Sequence, residues 1–157
     1  MLFIRLVFME HEKYMRMALE LAQKAFDAGE IPVGCVIVDE RGNVIGKGNN
    51  TRESTHSALG HAELSAISAA CQSRADWRLD GCTIYITLEP CPMCAGAIIN
   101  ARIPCVVFGA KEKNFGSCGS VINLFSERYG HYPAVYGSIL EEECTSLMTQ
   151  FFNKMRR

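Results

Sequence analysis

Four residues of the sequence have the types and spacing of a metal-assisted catalytic site. Cys91 and Cys94 form the only C-x-x-C pair among eight cysteines, and two thiolates at that spacing on a helix share one face, as half of a zinc site requires. His61 and Glu63 stand at the start of another predicted helix. The histidine suits a third ligand position, and Glu63 would then lie beside the metal as a general base for water.

The number of ligands distinguishes a structural zinc site from a catalytic one. Structural sites are closed by four protein ligands, whereas catalytic sites leave a position for water, as a Cys₂His arrangement does. The other six cysteines are dispersed along the chain. The sequence therefore favours an open, catalytic zinc site with His61, Cys91 and Cys94 as ligands and Glu63 as the acid/base.

Each half of this pattern also has a simpler interpretation. A lone C-x-x-C occurs in thioredoxin-like redox proteins, and a histidine followed by an acid is common at a solvated helix start. The redox interpretation explains Cys91 and Cys94 but gives His61 and Glu63 no task. The conjunction of the two motifs favours the metal site.

The elements around these motifs form a sheet with one parallel crossover. Strands are predicted over 83–88 and 104–109, with a short helix over 91–101 between them, and this spacing indicates parallel strands. Apolar, β-branched residues over 33–39 and a return over 44–48 predict a hairpin. Catalytic groups in such sheets gather where strands end and helices begin.

Three longer helices and a last strand complete the predicted fold. Apolar spacings of three and four residues predict helices over 12–28, 61–73 and 141–157, and a fifth strand is predicted over 134–139. The inward face of the last helix is predicted to comprise Cys144, Leu147, Met148, Phe151, Phe152 and Met155. The predicted fold class is α/β, a three-layer α/β/α sandwich with a mixed five-stranded sheet.

Length and composition predict one folded domain. The chain has 157 residues, of which 48% are hydrophobic and 21% charged, so it can build a core without disulfides and its thiols are expected to be reduced. Residues 1–8 are expected to be an N-terminal extension, too short for a signal peptide, and residues 9–157 the domain. Since no segment is long enough to span a membrane, we expect a cytoplasmic protein.

The motifs together match the signature of zinc deaminases, H-x-E followed by P-C-x-x-C. The sequence resembles the cytidine-deaminase-like superfamily and, within it, the bacterial tRNA-specific adenosine deaminases (TadA family), over nearly the whole chain. The most specific matching stretch is TLEPCPMCAGA, residues 87–97. Further matching stretches are Ile31–Gly34, Gly48–Asn50, His61–Glu63, Arg102–Ile103, Val107–Ala110, Gly119–Ser120 and Phe151–Phe152.

The resemblance implies a reaction and a substrate. The reaction is hydrolytic deamination of adenosine to inosine at the wobble position of a tRNA anticodon loop, by a homodimer with one zinc ion per subunit. It implies that Asn50 hydrogen-bonds the flipped purine and that Ile31, Val33 and Leu88 line its pocket. In the simpler interpretation, Asn50 is only a turn residue that caps its loop, and the other three are plain core residues. Glu89 is expected to be a structural or proton-relay neighbour.

Contacts with RNA are expected at one basic edge. The net charge of −1 excludes a protein that coats nucleic acid by bulk charge but leaves a local patch open. The expected phosphate contacts are Lys111, Lys113, Lys154, Arg156 and Arg157, with Phe151 or Phe152 near a base. The simpler interpretation is an exposed basic helix end, favourable to its own dipole, and two core phenylalanines.

Two other functions remain open from the sequence. A small-molecule deaminase of guanine or a free nucleoside or nucleotide would use the same chemistry without the basic edge. A non-enzymatic zinc-binding module would use Glu63 only to cap its helix.

Overall fold

The computed structural model describes residues 2–156, with side chains described from Phe8 to Arg156. The elements found in these residues are α1 (Leu2–Asp27), β1 (Gly34–Val38), β2 (Val44–Asn49), α2 (Ala62–Arg74), β3 (Thr83–Leu88), α3 (Pro92–Asn100), β4 (Cys105–Ala110), β5 (Ala134–Tyr136) and α4 (Glu141–Met155). A single 3-10 turn, Leu124–Ser126, precedes β5.

The five strands form one mixed sheet in the order β2-β1-β3-β4-β5. β1 is antiparallel to both of its neighbours, whereas β3, β4 and β5 are parallel. β1 lies inside the sheet and all five of its residues are buried, which explains its nearly continuous apolar sequence. The predicted hairpin, the parallel crossover through α3 and the mixed five-stranded sheet are confirmed.

Helices cover both faces of the sheet and divide the core into two clusters. On one face, small residues of α2 and apolar residues of α3 pack on side chains such as Ile37 and Ile86. On the other face, α1 and the first turn of α4 cover Val36, Tyr85 and Val107. Alternate residues of each strand supply the two clusters, as a pleated sheet requires. The three-layer α/β/α architecture is therefore confirmed.

Glycine in β2 lets α2 approach the sheet closely. A Cβ atom added at Gly48 would overlap the carbonyl oxygen of Ala62 and lie 2.8 Å from the backbone nitrogen of Ala66. Any side chain there would push the start of α2 away from the strand. The sequence around Gly48 thus fixes where the first turn of α2, with its H-x-E motif, lies relative to the sheet.

Some predicted boundaries and orientations are wrong. α1 begins at Leu2 rather than at residue 12, because no glycine or proline interrupts the chain before Gly29. The domain boundary after residue 8 stays a prediction. Phe152 and Met155 were expected to face inward but are 42% and 66% exposed, since the buried face of α4 follows Cys144 and Phe151. β5 is shorter than predicted, and its three residues are exposed at the edge of the sheet.

All eight cysteines are free thiols. Among the described residues, no helix combines the length and apolar character needed to cross a bilayer.

Candidate metal centre and active site

The three predicted ligands lie where two helices begin. His61 is the N-cap residue of α2, and Cys91 is the N-cap residue of α3 with an extended backbone. Pro92 opens α3, and Cys94 follows in its first turn. Cys91 therefore precedes the helix rather than lying on it, which corrects the predicted helix start at residue 91. Free N–H groups at a helix start favour the thiolate form of a nearby cysteine.

The distances between the ligand atoms fit a tetrahedral zinc ion. Nδ1 of His61 lies 3.8 Å from Sγ of Cys91 and 3.5 Å from Sγ of Cys94, and the three atoms all lie within 4.8 Å of one another. Bonds of about 2.3 Å to sulfur and about 2.0 Å to nitrogen at tetrahedral angles separate such donors by roughly 3.5 to 3.8 Å. One imidazole and two thiolates are also the donor types that zinc prefers. The residues present therefore fit the ion that the motif implies.

The electrostatics of the cluster favour one thiolate. The hydrogen bond from Cys94, together with His61, lowers the pKa of Cys91 to about 4. The shared hydrogen bond with Cys91 and burial raise the pKa of the Cys94 thiol. The hydrogen bond to Cys91 raises the pKa of His61. A thiolate is the form that binds a metal, so the lowered pKa suits Cys91 to ligation.

Glu63 is buried beside the cluster but is not part of it. Its side chain is 4% exposed and lines the same cavity as His61 and Cys91. Burial raises the pKa of its carboxyl group. The close cluster of ligand atoms contains only His61, Cys91 and Cys94 among the described residues. A carboxyl group in this position can move protons to and from a group bound in the cavity.

A cavity of about 510 Å³ opens above these residues. Its wall includes all four residues implied for purine binding, Ile31, Val33, Asn50 and Leu88. Its size lies within the range of small-molecule and cofactor sites. The structure thus brings the implied purine pocket and the predicted metal ligands together at one site.

Asn50 connects the pocket to the start of α2. Its Oδ1 accepts a hydrogen bond of 3.0 Å from the N–H of Ala62, and its own N–H donates to the carbonyl of Val33 at 3.2 Å. Asn50 is buried and lines the cavity. Its side chain therefore caps α2 through Oδ1 and forms part of the cavity wall.

The described residues of the expected basic edge do not form part of the cavity wall. Lys111, Lys113, Lys154 and Arg156 are exposed, and none of these four side chains lines the cavity. Arg157 lies outside the described residues. The wall instead contains Arg52, on a loop that the sequence marked only as polar.

The two phenylalanines of α4 have different environments. Phe151 is buried and packs edge-on against Phe26, with the ring centroids 5.7 Å apart. It is therefore part of the core, which corrects its inclusion among possible base contacts. Phe152 is partly exposed and lines the cavity, as does Phe115, which is 64% exposed. Sequence reasoning missed Phe115 because the irregular segment around it has no periodicity.

Fold and site together define a protein of the zinc-deaminase class, in which a crossover brings H-x-E and P-C-x-x-C to one cavity. Residues 9–110 match the family model described as the cytidine and deoxycytidylate deaminase zinc-binding region. The chain is 42% identical to the tRNA-specific adenosine deaminase of Bacillus subtilis (strain 168) over 149 residues, 94% of this chain and 92% of that protein. It is 44% identical to that of Haemophilus influenzae, over 92% of this chain and 84% of the relative. The chain belongs to the tRNA-specific adenosine deaminase family.

Solved structures confirm the fold. A structure from a study of A-to-I editing by tRNA:A34 deaminases superposes with a TM-score of 0.82 at 36% identity, covering 86% of this chain and 98% of that one. Guanine deaminase from Bacillus subtilis superposes with a TM-score of 0.63 at 31% identity, covering 91% and 94%. The same fold therefore occurs in proteins named for different substrates.

Proposed function

We propose that this chain is a zinc-dependent aminohydrolase that converts adenosine to inosine at the wobble position of a tRNA anticodon loop. The observation that carries the proposal is the position of the buried Glu63 beside the His61, Cys91 and Cys94 cluster inside one cavity. The adenosine substrate is supported by the 42% identity to a tRNA-specific adenosine deaminase over 94% of the chain.

The protein's own residues account for binding and proton transfer. Zinc, held by His61, Cys91 and Cys94, would supply a Lewis acid that makes water more acidic. Glu63 takes one proton from the attacking water and delivers it to the ring nitrogen of adenine. It then takes the second proton from the added hydroxyl and passes it to the amino group, which leaves as ammonia. Water and adenosine thus give inosine and ammonia. Asn50, which lines the cavity, donates a hydrogen bond from Nδ2 to the purine.

The depth of the site favours a base in a single-stranded loop. A base inside a duplex cannot reach buried groups such as Glu63, so the nucleotide has to flip out of its stack. Flipping is least costly where bases are already unpaired, as in an anticodon loop. Ile31, Val33 and Leu88 then contact the faces of the base, and Phe152 stacks near a neighbouring one. Lys111, Lys113, Lys154, Arg156 and Arg157 would contact the phosphates.

A second candidate substrate is guanine. It is favoured by the 31% identity to Bacillus subtilis guanine deaminase over 91% of this chain. Turnover of an anticodon stem-loop, guanine, free adenosine and cytidine by the same zinc-loaded protein separates the two candidates. We expect inosine in the stem-loop and little turnover of the small molecules. Faster deamination of free guanine than of the stem-loop would contradict the proposed substrate.

We also infer a cytoplasmic homodimer with one zinc ion per subunit. The support is family membership and the single cluster of three ligands found in the described residues. Sedimentation of the zinc-loaded protein at twice the 17.4 kDa chain mass, together with one zinc per chain by metal analysis, is the expected result. A monomer with full activity would contradict the dimer.

A further inference from the structure

Two buried carboxylates in the cavity wall have no part in the proposed chemistry. Glu30 and Glu89 are each 2% exposed and line the cavity. A carboxylate is unfavourable in such a position unless hydrogen bonds replace its water. Both are paired with N–H groups of two loops at the cavity mouth, which we call the first rim loop (residues 51–60) and the second rim loop (residues 111–120).

Glu30 holds the first rim loop. Its Oε2 accepts a hydrogen bond from the N–H of Glu53 at 3.0 Å, and its Oε1 accepts one from the N–H of Ser54 at 2.7 Å. The loop ends at Gly60, directly before His61. The carboxylate of Glu30 therefore fixes a loop that leads into one of the three ligands.

Glu89 holds the second rim loop through more contacts. Its Oε1 accepts hydrogen bonds from the N–H groups of Cys118 at 2.8 Å and Ser120 at 3.1 Å. Its Oε2 accepts from the N–H of Glu112 at 3.0 Å and from the hydroxyl of Ser120. Glu89 lies two residues before Cys91, so this loop is tied to a segment that carries another ligand.

The second rim loop is shaped around that carboxylate. A Cβ atom added at Gly116 would overlap both the carboxylate of Glu89 and the carbonyl of Glu112. The N–H of Ser117 also donates to the carbonyl of Pro90 at 2.9 Å. Hydrogen bonds to a charged acceptor are stronger than neutral ones. Since the loop is irregular, these contacts rather than a helix or strand set its path.

Both loops supply side chains to the cavity mouth. The first contributes Arg52 and Glu53, and the second contributes Glu112, Asn114 and Phe115. A single small base can be enclosed by the pocket residues alone, whereas a nucleic-acid chain has to pass across the mouth on either side of the flipped nucleotide. The position of the rim loops therefore affects the binding of a nucleic-acid chain more than the binding of a single small base.

We propose that Glu30 and Glu89 are positioning residues that each tie one rim loop to the frame of the metal site, and so set the cavity mouth for the nucleotides flanking the target base. The inference rests on the proposed function, because only a substrate in a chain extends across both loops. Neither residue touches the reacting atoms in this account.

The test compares Glu30→Gln and Glu89→Gln with the wild type on an anticodon stem-loop. Each change replaces one carboxylate oxygen by an NH₂ group that faces backbone N–H donors, so the loop has to move. We expect kcat/KM to fall by roughly tenfold to a hundredfold, mostly through KM, while each variant still folds and still binds one zinc ion per chain. Glu20→Gln, on an exposed part of α1, removes the same charge and is expected to keep wild-type constants.

Amide hydrogen exchange gives a local readout that does not depend on activity. Glu89→Gln is expected to speed exchange at the amides of residues 112, 118 and 120 but not at those of 53 and 54, and Glu30→Gln the reverse. Ser120→Ala, which removes only the hydroxyl donor, is expected to give a smaller effect in the same direction. It keeps the test available if Glu89→Gln fails to fold.

Three outcomes overturn the inference. One is kinetic constants within twofold of wild type for both glutamine variants. Another is a loss of kcat/KM that vanishes when activity is expressed per folded, zinc-loaded molecule, because Glu30 and Glu89 would then have only a structural role. The third is unchanged exchange in both loops. Failure of the wild type to deaminate the stem-loop would instead contradict the proposed function, so the two failures are distinguishable.

Discussion

The amide of Asn50 has one observed role and one proposed role. Its oxygen accepts a hydrogen bond from the N–H of Ala62 at the start of α2. Asn50 also lines the cavity, where we propose that its nitrogen donates to the purine. His61 and Glu63 flank Ala62 in sequence. At the residue scale, Asn50 therefore caps the helix that carries the H-x-E motif, and we propose that it also donates to the purine.

Two substitutions separate these roles. Asn50→Asp keeps an acceptor for Ala62 but loses the Nδ2 donor, so kcat/KM for the stem-loop is expected to fall about tenfold or more while stability is retained. Asn50→Ala removes both functions and is expected to lower the free energy of unfolding by about 1–3 kcal/mol as well. Stem-loop kinetics and thermal unfolding measure the two effects.

Asn49→Asp is the matched control, because it introduces the same charge at the neighbouring position, where Nδ2 donates to the carbonyl of Asn50. If Asn49→Asp and Asn50→Asp lose the same activity, added charge explains the result and the donor role of Asn50 is wrong.

At the scale of elements, two irregular loops and two helix starts form the site. The helices hold His61, Glu63 and Cys94 against the sheet, and the rim loops close around them. Loops without regular hydrogen bonding depend on side-chain anchors, and in the first rim loop that anchor is the charged form of Glu30.

The anchor predicts a pH dependence. Burial alone would raise the pKa of Glu30, but the N–H groups of Glu53 and Ser54 outweigh it and lower that pKa below its ordinary value of 4.5. A lowered folded-state pKa contributes stability that is fully present above pH 4.5 and is lost as the pH falls through the folded-state pKa. Arg52 and Glu53 are the charged neighbours on the same loop.

The contribution of the Glu30 charge to stability is measured by the free energy of unfolding of wild type and Glu30→Gln, from neutral pH to below pH 4.5. We expect the wild type to be more stable at neutral pH, with a difference that narrows as the pH falls below 4.5. A difference that stays constant, or that grows in acid, would show that the charge of Glu30 is not what holds the loop.

The sequence predicted helices and strands well where their pattern is local, but it did not predict contacts between residues far apart in the chain. The bounds of β3, Thr83–Leu88, agree with the prediction, because a run of β-branched and aromatic residues between turns has one interpretation. The ligands were predicted because a metal site restricts residue types so strongly. The partners of Glu30 and Glu89 were not, since residues 23 to 31 positions away carry no mark of the contact.

The sequence also did not predict which way side chains point near the ends of helices and strands. The spacing of Phe151 and Phe152 does not say which of two neighbours faces the core, and the helix orientation that decides it is set by the sheet. Arg52 and Phe115 were missed for a related reason, because only the path of the rim loops brings them to the cavity.

At the scale of the whole molecule, charge is balanced and RNA binding has to be local. The net charge is −1, so attraction to phosphates depends on where the basic side chains lie. Lys111 and Lys113 alternate with the cavity-lining residues 112 and 114. They are therefore close to any chain that crosses the second rim loop.

A salt titration tests this local attraction. Lys111→Ala with Lys113→Ala is expected to weaken stem-loop binding and to reduce the slope of log K against log salt by about 1.4, or about 0.7 for each lost phosphate contact with a single strand. The control, Lys13→Ala with Lys24→Ala, removes the same charge from exposed positions of α1. Equal losses in the two double variants would mean that overall charge, and not this edge, attracts the RNA.

The role proposed for Glu63 is proton transfer on an adenosine held above the His61, Cys91 and Cys94 cluster. It is tested by inosine formation in an anticodon stem-loop by wild type and Glu63→Gln, with zinc content and unfolding temperature measured on the same samples. We expect the wild type to form inosine, and we expect Glu63→Gln to keep one zinc per chain and its fold while losing roughly a hundredfold to ten-thousandfold in kcat. Wild-type protein that binds zinc but forms no inosine, or a Glu63→Gln variant that turns over at the wild-type rate, would contradict it.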